Sequence, residues 1–189
     1  MLNIIQKPSP NHWEGRKGYK PELIVVHIMA GNLIGTDSWF ASTTSQVSSH
    51  YGVGLNGEIH QYVKEIDGAW CNGNVRSPSA KFLKPLINPN CYTISIENEG
   101  QDLSKHTEIQ MKTLVALIKD IAQRNSIQID RDHIIGHFEI DSVVKGNCPS
   151  PNHGIMDEIV ALCHTEEMVS IMVPASKVER VKLFINSII

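Results

Sequence analysis

Leu23-Ile24-Val25-Val26-His27-Ile28 is the stretch on which the fold turns. A nearly continuous run of apolar, mostly β-branched residues reads as a strand buried on both faces, the pattern of a sheet covered by other layers. Its one polar member, His27, stands near the end of the strand, just before a turn at Ala30-Gly31-Asn32.

Outward from this run, Tyr92-Thr93-Ile94-Ser95-Ile96-Glu97 is again strand-like, and its alternation turns Glu97 to the face opposite Ile94 and Ile96. His133-Ile134-Ile135-Gly136-His137 suits a third strand. Ser49 to Leu55 and Glu58 to Val63 read as two more, joined at Asn56-Gly57, where a two-residue hairpin would need positive φ at both positions. Asp37 is expected to cap a short helix through Ser38-Trp39-Phe40. Thr107-Glu108-Ile109-Gln110 has the form of a capping box, opening a helix with Leu114, Leu117, Ile118 and Ile121 on one face and Asn125 closing it. Gly154 to Cys163 carries Ile155, Ile159 and Leu162 at helical spacing. The order predicts an α/β fold, a single mixed β-sheet flanked by helices.

The chain has 189 residues, enough for one domain with its own core. Residues 1–164 read as that domain. From Thr165 the pattern changes to a polar step, Thr165-Glu166-Glu167, a linker-like Val173-Pro174-Ala175-Ser176, and scattered apolar residues, so 165–189 is expected to be a linker and the start of a separate element. A formal net charge of -3 leaves no bulk basic surface for phosphates, and no nucleic-acid partner is expected. The first residues lack the basic leader and long apolar stretch of a signal peptide, and no run approaches the length of a membrane span. The expectation is therefore a chain made and kept in the cytoplasm. Cys71, Cys91, Cys148 and Cys163 form no C-x-x-C pair and no disulfide framework is expected; Cys71, Cys91 and Cys163 read as buried small hydrophobes.

His27, His137 and Cys148, the last in Gly146-Asn147-Cys148-Pro149, match the three-ligand count of a catalytic zinc with one position left open. The spacing alone does not bring them together, and a histidine at a strand end is more often a hydrogen-bonded structural residue. On the residues alone both readings stand.

An ordered set of segments adds to this: Ile24-Val25-Val26-His27, Ser49-His50-Tyr51-Gly52-Val53, Gly68-Ala69-Trp70, Thr93 to Gly100, Ile135-Gly136-His137 and Asn147-Cys148-Pro149. Together they resemble the amidase-2 family, which includes phage lysozyme-type amidases, peptidoglycan-recognition proteins and phage or prophage endolysins, over about residues 20 to 164. The resemblance implies the fold of those proteins, zinc held by His27, His137 and Cys148, and Glu97 as catalytic carboxylate. It implies hydrolysis of the amide between N-acetylmuramic acid and L-alanine in bacterial peptidoglycan. For an endolysin, release to the wall would pass through a membrane-permeabilising partner protein, and the tail would begin a wall-binding element. The alternative of another class is a recognition module that binds peptidoglycan without cutting it; such relatives typically lack the cysteine ligand, and Cys148 favours catalysis. A zinc deacetylase is a weaker third reading.

The family often carries a lysine two positions before the third ligand, where this chain has Gly146, with Lys145 one step further away. Either Lys145 reaches in or zinc does most of the polarising. His50 is expected to organise the site by hydrogen bonding. Trp70 is a candidate wall of the substrate groove, or equally a core residue. His12, His60, His106, His133, His153 and His164 read as surface or structural.

Overall fold

The computed structural model describes residues 2–101 and 104–165. Strands β1 (Ile4–Gln6), β2 (His12–Trp13) and β3 (Leu23–Ile28) precede helix α1 (Leu33–Ala41). A hairpin of β4 (Tyr51–Val53) and β5 (Ile59–Gln61) follows, then β6 (Gly68–Ala69), β7 (Thr93–Asn98), α2 (Glu108–Asn125), β8 (Ile134–Gly136) and α3 (Ile155–Cys163). One six-stranded sheet runs β1-β5-β4-β7-β3-β8, and β2 pairs with β6 as a separate ribbon. Within the large sheet β4 and β5 are antiparallel and the other neighbours parallel, which is the expected single mixed sheet.

β3 lies between β7 and β8, and Leu23, Ile24, Val25 and Val26 are fully buried. Alternation splits them between two cores. Ile24 and Val26, with Ile94 and Ile96 of β7, pack in one cluster with Leu114, Leu117, Ile118 and Ile121 of α2 and with Met156 and Ile159 of α3. Leu23 and Val25 pack on the other side with Tyr92, Ile135 and Ile140. Each such aliphatic side chain stabilises the fold by roughly 1.5–3 kcal/mol relative to exposure. The residues that continue the second face past this cluster, His27 on β3 and Glu97 on β7, reach the carboxyl ends of parallel strands, where open α/β sheets place their ligands.

Local chemistry differs from expectation at four places. Helix α1 is longer than expected and is capped by Asn32, whose Oδ1 accepts the Gly35 N–H at 2.7 Å. Asp37 lies inside that helix and instead binds His60 Nδ1 at 2.7 Å and accepts the Tyr62 hydroxyl at 2.9 Å. The β4–β5 connection closes between Gly54 and Gly57, with the Gly57 N–H donating to the Gly54 carbonyl at 2.9 Å. Of the expected pair only Gly57 has positive φ, at 81°, because the loop is one residue longer than a two-residue hairpin. Thr107 caps α2 by accepting the Gln110 N–H at 3.1 Å, but Gln110 does not return the bond: its amide donates to the Val53 and Glu99 carbonyls. At the other end Ser126, left-handed at φ 56°, closes α2 where Asn125 was expected.

Gly136 ends β8 opposite Val26, immediately before His137. A methyl group there would lie 2.5 Å from the Phe138 ring and 3.0 Å from Pro149. Gly136→Ala is therefore expected to cost about 1–3 kcal/mol through overpacking. Thermal unfolding would check this: a melting temperature unchanged from the parent would mean that Phe138 and Pro149 yield freely.

The tail assigned to a linker and separate element lies outside the described residues from Glu166 onward. Cys163, at the end of α3, already packs into the main core. Deleting 168–189 is accordingly expected to leave a soluble protein with a cooperative thermal transition, and loss of that transition would make the tail part of the core. No helix among the described residues is long and apolar enough to cross a membrane.

Candidate metal centre

Strand register assembles most of the site. β3 and β7 pair with His27 directly opposite Glu97, and β8 pairs with β3 so that His137 follows the Gly136–Val26 partnership. The His27 and His137 Nδ1 atoms come within 2.9 Å, with the rings edge to face and their centroids 4.4 Å apart. Both histidines are buried, at 1% and 6% exposure.

Cys148 is delivered by a loop. Asp141 Oδ1 accepts the Val143 and Val144 N–H groups, the Lys145 N–H donates to the Asp141 carbonyl, and the Cys148 N–H donates to the Lys145 carbonyl at 2.9 Å. The Cys148 carbonyl then accepts the Phe138 N–H at 3.0 Å, and the Ile28 N–H donates to Cys148 Sγ at 3.4 Å. The Cys148–Pro149 peptide is cis. Cys148 Sγ ends 3.9 Å from His27 Nδ1, and one donor atom from each of His27, His137 and Cys148 falls within 4.8 Å of the others.

Electrostatics suit cation binding. Burial, then the neighbouring His137 and Lys145, hold His27 well below the ordinary histidine range, and burial with Lys145 brings His137 down to about 4. Both imidazoles are thus neutral near pH 7, the form that ligates metals. Burial pushes the Glu97 carboxyl up to about 7, against the opposing pull of Cys71 and Lys145. Glu97 Oε2 is buried without a hydrogen-bond partner, and Oε1 lies 3.9 Å from His27 Nδ1. Two neutral nitrogens, one thiol and an unsatisfied carboxylate oxygen on one face form a donor set fitted to a borderline-soft cation such as zinc.

Cys71 departs from expectation. Instead of packing as a core hydrophobe it sits 3.5 Å from His27 Nε2 and donates toward Glu97 Oε1 at 3.7 Å. Burial, then Glu97, pushes its thiol well above the ordinary range. The signal for it was its place directly after Trp70, the last residue of a segment already singled out. A cavity of about 310 Å³ opens over the centre, and its walls include Trp39, Trp70, Lys145 and Val47. Lys145 is thus at the cavity, whereas Gly146 lines only the neighbouring groove. Trp39, which sequence reasoning placed only in a helix, is 57% exposed at this rim.

His50 is buried and fully engaged: Nδ1 accepts the Ser95 N–H at 3.0 Å, and Nε2 lies 2.8 Å from Arg16 Nη2. Arg16, unremarked in the sequence, is 5% exposed and donates to the carbonyls of Glu65, Asn90, Cys91 and Thr93. Trp70 packs near Trp13, ring centroids 6.5 Å apart, so it serves as both wall and packing residue. Outside the centre, His12, His60, His133, His153 and His164 are tied to carbonyl or carboxylate oxygens. His153 also stacks on Phe138, ring centroids 3.7 Å apart.

Comparison with known proteins adds a family to this geometry. The profile of a family described as N-acetylmuramoyl-L-alanine amidase matches residues 17–151. An N-acetylmuramoyl-L-alanine amidase A of Achromobacter lyticus is 32% identical over 107 residues, 55% of this chain and 52% of that protein. The chain therefore matches about half the length of that relative. The 1,6-anhydro-N-acetylmuramyl-L-alanine amidase AmpD of Enterobacter cloacae is 27% identical over 158 residues, 74% of this chain and 80% of the relative. Among solved structures, a selenomethionine AmpD derivative shares the fold with a TM-score of 0.68 at 23% identity, covering 84% of this chain and 95% of its own.

Proposed function

The chain belongs to the amidase-2 family of N-acetylmuramoyl-L-alanine amidases, and from that premise we propose that it is a zinc-dependent hydrolase cleaving the amide between N-acetylmuramic acid and L-alanine in bacterial peptidoglycan. The observation that carries this reading is the convergence of His27, His137 and Cys148 beside a buried, unpartnered oxygen of Glu97. A module that only bound the wall would gain nothing from burying a carboxylate with one oxygen left without a partner, which costs stability.

In this reading His27, His137 and Cys148 hold the cation, which when bound supplies Lewis acidity and lowers the pKa of water. Glu97, as carboxylate, takes a proton from the attacking water and returns it to the departing amine nitrogen. A group titrating near 7 suits both halves of that exchange. Lys145, at the cavity, offsets negative charge developing on the carbonyl oxygen, the role left open by Gly146. Trp70 and Trp39 offer aromatic faces to the sugar and peptide backbone.

The biological role we propose is that of a phage or prophage endolysin, made in the cytoplasm and reaching the wall through a lesion formed by a membrane-permeabilising partner. The name of the Enterobacter cloacae relative favours a second reading, in which soluble 1,6-anhydro-muropeptides are the substrate. Mass spectrometry of two digests separates these. Intact sacculi should yield uncut glycan and stem peptides with a new L-alanine amino terminus. Cleavage confined to soluble anhydro-muropeptides would transfer the assignment to the second reading, and absence of cleavage from both would remove the hydrolase.

A further inference from the structure

Asn72 is fully buried, and all but one of its polar atoms are committed. Its Nδ2 donates to Thr93 Oγ1 and to Ser95 Oγ, each at 2.9 Å, and its backbone N–H donates to Asn90 Oδ1 at 2.6 Å. The Thr93 hydroxyl itself donates to the Pro89 carbonyl at 2.9 Å, so toward Asn72 it can only accept, and that fixes which way the amide points. Oδ1 is left over as a buried acceptor with no partner of full hydrogen-bond geometry. It nevertheless acts on His27. Burial, then His137, Lys145 and His50, hold that ring below its ordinary range, and a looser hydrogen bond with the Asn72 side chain opposes them by favouring the protonated ring, which only an acceptor can do.

The two ring nitrogens of His27 have different neighbours. Nδ1 lies 2.9 Å from His137 Nδ1 and 3.9 Å from Cys148 Sγ. Cys71 Sγ straddles the ring, 3.5 Å from Nε2 and 3.9 Å from Nδ1, and is in line with neither. Nε2 is thus the nitrogen left for Asn72. We infer that Asn72 is a positioning residue of the proposed centre: its Oδ1 takes the Nε2–H of His27 and so keeps the Nδ1 lone pair turned toward His137 and Cys148. This rests on the ligand set of the proposed hydrolase and adds to it the group that sets the tautomer, since the outward N–H of a metal-binding histidine is ordinarily held by an oxygen acceptor. Counting hydrogens gives a consequence before any cation enters. Two nitrogens 2.9 Å apart share one proton, and a neutral His27 already protonated at Nε2 leaves that proton to His137 Nδ1.

Proton–nitrogen NMR spectra of the metal-free parent, isotopically labelled at its histidines, should show His27 protonated at Nε2 and His137 at Nδ1. Zinc alone is the probe for the variants. Its affinity, measured by competition with a chelator, should fall roughly 10–100-fold in Asn72→Leu. Asn72→Asp, which keeps an oxygen acceptor, should hold zinc more tightly than Asn72→Leu. A residue that merely filled space would shift the melting temperature without setting the tautomer or separating these two variants. His27 protonated at Nδ1 in the parent would overturn the inference however the variants fold, and so would equal zinc affinity in the parent and Asn72→Leu. A parent that takes up no zinc would instead overturn the ligand set on which the inference rests, and the tautomer measurement, which needs no metal, tells the two failures apart.

Discussion

Replacing Glu97 by Gln is expected to lower turnover by roughly two to four orders of magnitude, the scale of losing a positioned acid–base group. Gln keeps the shape of the side chain but cannot take a proton. Because the three proposed ligands are untouched, zinc content should stay at the parental level. Stability should hold or improve, since Glu97 has one buried oxygen without a partner. The sign can be worked out for the metal-free protein. Burial raises the carboxyl from 4.5 to about 7, so between those values the folded state binds more protons than the unfolded one. The contribution of Glu97 is most favourable at low pH and is lost as pH rises through 7. Gln does not titrate, so metal-free Glu97→Gln should gain on the parent between pH 5 and pH 8. Calorimetry at the two pH values, with steady-state cleavage of purified walls, checks both halves. Near-parental turnover in the variant would remove Glu97 from the chemistry.

The second large effect is expected at Cys148. Changing it to Ser replaces a soft anionic donor with a neutral hydroxyl and leaves two histidines as the fixed ligands. Outer-shell changes around metal sites already cost roughly 10–100-fold in affinity. Loss of a direct ligand should exceed that, so dialysed Cys148→Ser should hold well under one zinc per chain while the parent holds about one. Activity should fall with occupancy, and a strong chelator should reproduce the loss in the parent. Elemental analysis of both proteins after dialysis decides: full occupancy with unchanged lysis in the variant would exclude Cys148 as a ligand.

The residues of this centre were unequally legible. His27 and Glu97 could be placed because period-2 alternation within a buried strand fixes the face of each residue from its neighbours. His137 followed from the short apolar run before it. What alternation cannot supply is register between strands or the path of a loop. Opposition of His27 and Glu97 depends on β3–β7 pairing, and the arrival of Cys148 depends on turns anchored by Asp141 and on the Phe138 N–H. Residue order was legible there only through the family resemblance. Cys71 and Arg16 escaped because their roles come from contacts 26 to 77 positions away in the chain. The misassigned ends of α1 and of the β4–β5 hairpin failed for two reasons: Asp37 and Asn56 have the right residue types, but distant partners claimed the first and one extra loop residue decided the conformation at the second.

Arg16 ties that local geometry to the whole chain. Burial lowers its guanidinium to about 10, still charged at neutral pH, and its donors reach carbonyls just before and at the start of β7 and in the segment leading to β6. The wall carrying Trp70 and Cys71 runs between those points, so it cannot lift away without stripping a buried cation of its acceptors. Amide hydrogens around residues 65–72 and 90–93 should therefore exchange with solvent as one cooperative unit together with the segment around Arg16. At the mouth of the cavity the exposed Trp39 side would be the part left to move, while the cysteine-bearing wall behaves as fixed masonry.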